Sequence, residues 1–261
     1  MLQNKNSPTF GDQLEVNLNT CELVTNATTW RHIWFVQRFL LHGADVLMQT
    51  ASVTKHKPHT LFSLLHAFEH SSTQAWQWLD KASPLVRALV ANTQSWLAQH
   101  RASQQSLLSV WLQEIHRRCL THDQSKLLAP EVDAFTKSME RLSFVEFGSV
   151  DYHKALAELK PALEHHYAHN RHHPEHFSGG VMDMTLVDLF EMYCDWLASS
   201  LRTKDGDIYH SFEVTQKRFN LCDEVITLLK NTHEAHYLEQ YRRDPMEFSS
   251  QSQHSGIKAA Q

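Results

Sequence analysis

An all-α protein is what this sequence predicts, and three observations predict it. Glycine and proline are scarce, at seven each in 261 residues. Apolar residues recur at three- and four-residue intervals and do not alternate as in a strand. Helix start and stop signals punctuate the chain: Ser83-Pro84, Pro130 and the Gly179-Gly180 pair. At 42% hydrophobic residues, the chain has enough apolar side chain for a sizeable core.

Taken in order, residues 1–27 are polar and without period, so a flexible N-terminus is expected. From Thr28 to Ser52, Trp30, Ile33, Trp34, Leu40, Leu41, Ala44 and Leu47 form a helical face, and a second helix follows from Thr60 to Leu79. This helical hairpin defines a 28–90 extension. Ser83-Pro84 then starts a helical stretch that reaches Cys119, with a break near Asn92. Further helices are expected from Pro130 to Ser143, Asp151 to Asn170, Thr185 to Arg202, Ser211 to Asn220 and Asp223 to Tyr241. The main domain is thus placed at 91–241, and 242–261 is a polar, flexible tail.

Composition narrows the function. A net charge of −5 gives no basic surplus for a nucleic-acid backbone, so bulk nucleic-acid binding is not expected. No run of 18 apolar residues exists to cross a membrane, and the N-terminus lacks the pattern of a signal peptide. Cys21, Cys119, Cys194 and Cys222 stand far apart, with no paired thiolate motif, which fits a reducing cytoplasm. The anomaly is twenty histidines. Each neutral ring is a ligand for a metal ion.

Three segments carry that chemistry. Thr121-His122-Asp123-Gln124-Ser125-Lys126 follows a helix, and at a helix end adjacent side chains can turn toward one ion, whereas inside a helix they diverge by about 100°. Asp188, Glu191 and Asp195, at i, i+3 and i+7, share one helix face, an arrangement that needs open solvent or a cation. Between them, Glu164 to His176 holds six histidines; His165 and His169 are spaced i, i+4, while His172 and His173 belong to the following turn.

A helix histidine, then HDxSK, HHxxHNxHHPEHF and EMxxDW, resembles an uncharacterised bacterial and phage family of HD-like proteins, over about Ser95 to Glu239. More broadly it is similar to HD-superfamily metal-dependent phosphohydrolases, which implies an HD-like helical bundle. That resemblance implies an upstream ligand, His100 with His116 as a second choice; the pair His122 and Asp123; and a distal carboxylate, Asp195 or Asp188. It also implies further ligands among His165, His166 and His169, holding one or two divalent ions (Mn, Mg, Fe, Co, Ni or Zn). The implied substrate is a small phosphorylated molecule, such as a nucleotide. Asp123 would orient the attacking water, and Lys126, His165 or His169 would balance the developing phosphate charge. Two other readings fit the same ligands: a di-iron oxygenase-type enzyme, and a non-catalytic module in which the ion only holds helices together.

The N-terminal helices carry a second histidine interval, His32 to His56, close to the 22 residues from His100 to His122. A decayed internal repeat would explain it, although Lys57 and His59 stand where the aspartate and serine should be. The roles open to this hairpin are packing on the main domain, covering the site, or forming a homodimer contact.

Overall fold

A computed structural model describes residues 10–49, 59–69, 77–102, 105–144, 150–201 and 206–238, and every structural statement below concerns these. The tail at 242–261 and the His56-Lys57 pair lie outside the described residues. Ten α-helices follow one another with no strand among the described residues. They are α1 (Phe10–Gln49), α2 (Leu61–Glu69), α3 (Pro84–His100), α4 (Leu107–Thr121), α5 (Glu131–Phe144), α6 (Val150–Glu158), α7 (Lys160–His169), α8 (Leu186–Ser200), α9 (Ile208–Phe219) and α10 (Asp223–Thr232).

Capping chemistry explains where the helices nearest the site begin. Ser83 accepts the Val86 amide and is followed by proline at the first helical position, where a missing N–H costs nothing, so α3 starts there. Ser106 accepts the Ser109 amide to start α4. At α8, Thr185 and Asp188 form a reciprocal capping box: the hydroxyl accepts the Asp188 amide, and the Asp188 carboxylate accepts the Thr185 amide. Sequence periodicity starts the first helix at Thr28, whereas α1 is already helical from Phe10. The polar residues from 10 to 27 lack an apolar period, yet they contain neither proline nor a strong break beyond Gly11.

At 1.5 Å per residue, α1 spans about 60 Å. It lies against α4, α5 and α8. Phe35, Val36, Phe39 and Leu40 of α1 share one hydrophobic cluster with Val86 and Leu89 of α3, Trp111 and Ile115 of α4, and Leu189, Phe190, Tyr193 and Leu197 of α8. Gly43 lets α1 and α8 approach so closely, because a Cβ there would stand 2.2 Å from Phe190 Cζ and 2.7 Å from the Tyr237 hydroxyl. This close crossing aims one turn of α1, the one carrying His32, at the end of α4 and the middle of α8.

Candidate metal centre

The centre is built around Asp123, which is fully buried. Helix α4 ends at Thr121, His122 is its C-cap residue with extended ψ, and Asp123 adopts left-handed φ of 55°. Aspartate is among the few L-residues that tolerate this conformation, and the abrupt change of backbone direction points two successive side chains into one space.

Two groups of ligand atoms meet on its carboxylate, with atoms in each group within 4.8 Å of one another. The first contains His32, His122 and Asp195 with Asp123. His32 Nε2 lies 3.4 Å from Asp123 Oδ2 and 2.8 Å from Asp195 Oδ1, while His122 Nε2 is 3.6 and 3.9 Å from the same two oxygens. The second contains His166, His172 and His173. Here His166 Nε2 and His172 Nε2 stand 3.4 and 3.6 Å from the other oxygen, Asp123 Oδ1. His166 Nε2 and His173 Nε2 are 2.9 Å apart. Two ring nitrogens bound side by side to one ion at 2.0–2.1 Å would stand about 3 Å apart, so these already have the spacing of a ligand pair.

The outer nitrogens decide which ring atoms face inward. His122 Nδ1 donates to Glu191 Oε1 at 2.9 Å, His172 Nδ1 lies 3.4 Å from that same oxygen, and His166 Nδ1 donates to Glu131 Oε2 at 2.9 Å. With the proton held on Nδ1, the tautomer that follows from these contacts leaves a lone pair on each Nε2. Those lone pairs point at carboxylate oxygens. His122 Nε2, His172 Nε2, both nitrogens of His32 and Asp123 Oδ1 are buried without a hydrogen bond. His32 is near enough to Asp195 for a hydrogen bond but not aligned for one. Lone pair facing lone pair in a dry site is costly unless a cation sits between them. These buried His and Asp groups could therefore hold a metal ion.

The charge states fit that role. Burial keeps His122 below the ordinary histidine value. Burial, then His172 beside it, pushes His173 down to about 2, so both rings stay neutral and available as ligands. For Asp123, burial works toward protonation, but Lys126, with Nζ at 2.5 Å from Oδ2, and His122 hold it well below the ordinary carboxylate value. Burial opposes charge on His32 and His172 too, yet the carboxylates of Asp123 and Asp195 around one and of Glu191 beside the other raise both. The cluster thus holds ionised carboxylates whose surroundings attract positive charge.

Behind the rings stands a second tier. Arg118 is buried and donates to Glu114, Glu191 and Asp188 at 2.6, 2.6 and 2.7 Å. Asp188 also receives Arg171 at 3.0 Å and caps α8. A small cavity lined by Arg117, Arg118, Thr121, His169, Asn170, Arg171 and Glu191 adjoins this tier. Its three guanidinium groups are already matched by Glu114, Asp188 and Glu191, so it carries no surplus positive charge.

Of the residues singled out in the sequence, His122, Asp123, Asp195 and His166 converge here, with Lys126 at the edge. Asp188 faces Arg118 and Arg171 and joins neither group. His165 bonds Glu131 through Nδ1 at 2.7 Å and is one-third exposed. His169 is exposed and stacks on His165, its Nδ1 donating to the His165 carbonyl. His100 is exposed at the end of α3, stacked on Trp96, and His116 is exposed on α4. His32, and not His100, lies beside His122, Asp123 and Asp195. His32, His172 and His173 were not among the ligands expected from the sequence, nor were Glu191 and Glu131 expected beside the rings. The available signals were a histidine beside Ile33 on the buried face of α1, and the doubled histidines before Pro174.

Among known proteins, no curated protein and no solved structure matches this chain. The Family of unknown function (DUF5662) matches residues 89–243, more than half of the chain. The matched stretch takes in the end of α4, the histidine-rich turn and α8, and leaves His32 outside. The chain is a member of this family, and the convergence of buried histidines and carboxylates on Asp123 is the feature its function has to explain.

Proposed function

We propose that this protein is a metal-dependent phosphohydrolase of the HD type acting on a small phosphorylated substrate, in which the two groups of side chains that meet at Asp123 would hold two divalent ions. One observation carries the metal part of this reading: the inner nitrogens of His122 and His172 and one oxygen of Asp123 are buried without hydrogen bonds around a common space, while the outer nitrogens of both rings face Glu191. A donor set of five imidazoles and two carboxylates suits Mn, Fe, Co, Ni or Zn better than Mg, which prefers oxygen ligands. Bound there, such ions supply a nucleophilic water near neutral pH and neutralise phosphate charge.

The chain's own residues do the rest. His32, His122 and Asp195 hold one side, His166, His172 and His173 the other, and Asp123 spans them. Lys126, whose side chain is 24% exposed, reaches from the solvent edge to Asp123 and supplies a cation beside an incoming phosphate. His165, braced by Glu131, keeps its other nitrogen for proton exchange with a leaving group. Asp195, at 14% exposure, and the half-buried His173 mark the edge through which a substrate enters.

The test is metal content after dialysis, together with phosphate release from a panel of phosphorylated metabolites under Mn, Co, Ni, Fe and Zn. Wild type is expected to carry up to two ions and turn over a member of the panel, with His32→Ala losing ion and rate and His100→Ala losing neither. No ion in wild type, or equal loss in His32→Ala and His100→Ala, sinks the assignment. The depth of the centre favours one competing reading, an ion that only fastens helices. Retained metal with no phosphate release from the panel would move the assignment there.

A further inference from the structure

Resting on the two-ion reading above, we propose that Glu191 couples the two halves of the centre, so that they take up ions as one unit. Glu191 forms with His122 and His172 a further group that could hold an ion, but its oxygens already face other partners, and its proposed role is to brace the two rings. Oε2 receives Arg118 Nη1 at 2.6 Å, and Oε1 receives His122 Nδ1 at 2.9 Å with His172 Nδ1 3.4 Å away. His122 belongs to the group on the Oδ2 side of Asp123 and His172 to the group on the Oδ1 side. A single acceptor atom is therefore bonded to a ring of one half and stands within reach of a ring of the other.

The coupling follows from that shared atom. A ring delivers its Nε2 lone pair to an ion only while its proton stays on Nδ1, and that proton stays where an acceptor is held for it. An ion in the first half fixes the His122 ring, which fixes Glu191 Oε1, which presents the acceptor that His172 needs to face the second ion. The reverse order gives the same gain, as linkage requires. Arg118 keeps the acceptor from drifting, since Glu114 and Asp188 hold its other nitrogens on a buried, immobile frame. Asp123 also touches both halves, but as the ligand between like-charged ions.

The experiment is a titration of the metal-free full-length chain with Mn(II), followed by electron paramagnetic resonance. This technique separates an isolated Mn(II), with its six sharp lines, from a coupled pair. In wild type, half-loading is expected to give coupled pairs and empty protein, with little singly loaded species. In Glu191→Gln, the isolated signal should dominate at one equivalent, and overall affinity should fall about 10- to 100-fold. Glu191→Asp retains the charge opposite Arg118 but withdraws the oxygen from the rings, and should split the loading in the same way even if the glutamine variant folds poorly. Asp151→Asn, which removes an exposed carboxylate paired with Lys154 and touches neither the rings nor Arg118, should load as wild type does. Wild-type loading in both Glu191 variants, or equal splitting in Asp151→Asn, overturns the coupling. A wild type that binds one ion only overturns the coupling and leaves a metal site standing, whereas a wild type that binds none removes both.

Discussion

Asp123 combines two demands that seldom meet in one residue, a left-handed backbone and a buried charge shared by two sets of rings. The two can be separated by substitution. Asparagine tolerates φ of 55° as aspartate does, whereas alanine pays about 1–2 kcal/mol for its Cβ in that region. In metal-free protein, Asp123→Asn is therefore expected to be more stable than Asp123→Ala by about 1 kcal/mol in urea unfolding, while both lose bound ion. Equal midpoints for the two variants would show that the backbone there is not under steric demand. At this scale the sequence was informative where chemistry is local. A His-Asp pair at a helix end, followed three residues on by Lys126, is legible because the turn itself brings the groups together. His32 was not legible in the same way, because Asp123 lies 91 residues away in the chain and Asp195 163, and nothing in its neighbours names them.

On α8 the acidic stripe that the sequence offered as one site divides into three jobs. Asp188 closes the capping box and binds two arginines, Glu191 braces two imidazoles, and Asp195 faces the first group of ligands. Spacing of i, i+3 and i+7 puts the three on a common face but says nothing of what stands opposite each turn. Here Arg118 and Arg171 meet the first turn and His32 a later one. The opposite face of the helix shows how tightly α1 has to sit for this to work. Alanine at Gly43 would raise intrinsic helix propensity by about 1 kcal/mol. Its methyl would, however, collide with the rings of Phe190 and Tyr237, both fully buried and unable to swing aside. Overpacking of this kind costs typically about 1–3 kcal/mol. Gly43→Ala is thus expected to lower the melting temperature and, by pushing α1 outward, to weaken ion binding at His32. A variant that melts at or above wild type would show that the crossing has slack.

At the level of the whole molecule, the candidate ligands come from α1, the end of α4, the last turn of α7 with its following loop, and α8, so an ion bound there would fasten elements that the chain order keeps far apart. Ions that bind only the folded state add stability by mass action, about 2.7 kcal/mol when free ion is at a hundredfold the dissociation constant. For a chain of this size that corresponds to a rise of roughly 5–10 °C. Removing the ion with a chelator is expected to lower the melting temperature by that amount in wild type and to leave His32→Ala nearly unmoved; equal shifts in both would mean that the stabilising ion sits elsewhere. The all-α fold was readable from periodicity and caps because those are short-range properties. The assembly of the centre was not, since it depends on which helices cross, and a single glycine on α1 has a large part in deciding that. The passage of α1 through the same core as α8 has one more consequence, for synthesis. At about 5–20 residues per second, roughly 10 to 30 seconds separate the making of His32 from that of Asp195. Throughout that interval Phe35, Val36, Phe39 and Leu40 are on the nascent chain before the α8 surface that will cover them exists. An apolar helix face left uncovered that long is a natural client for a ribosome-associated chaperone, and the protein's yield in a cell should depend on one.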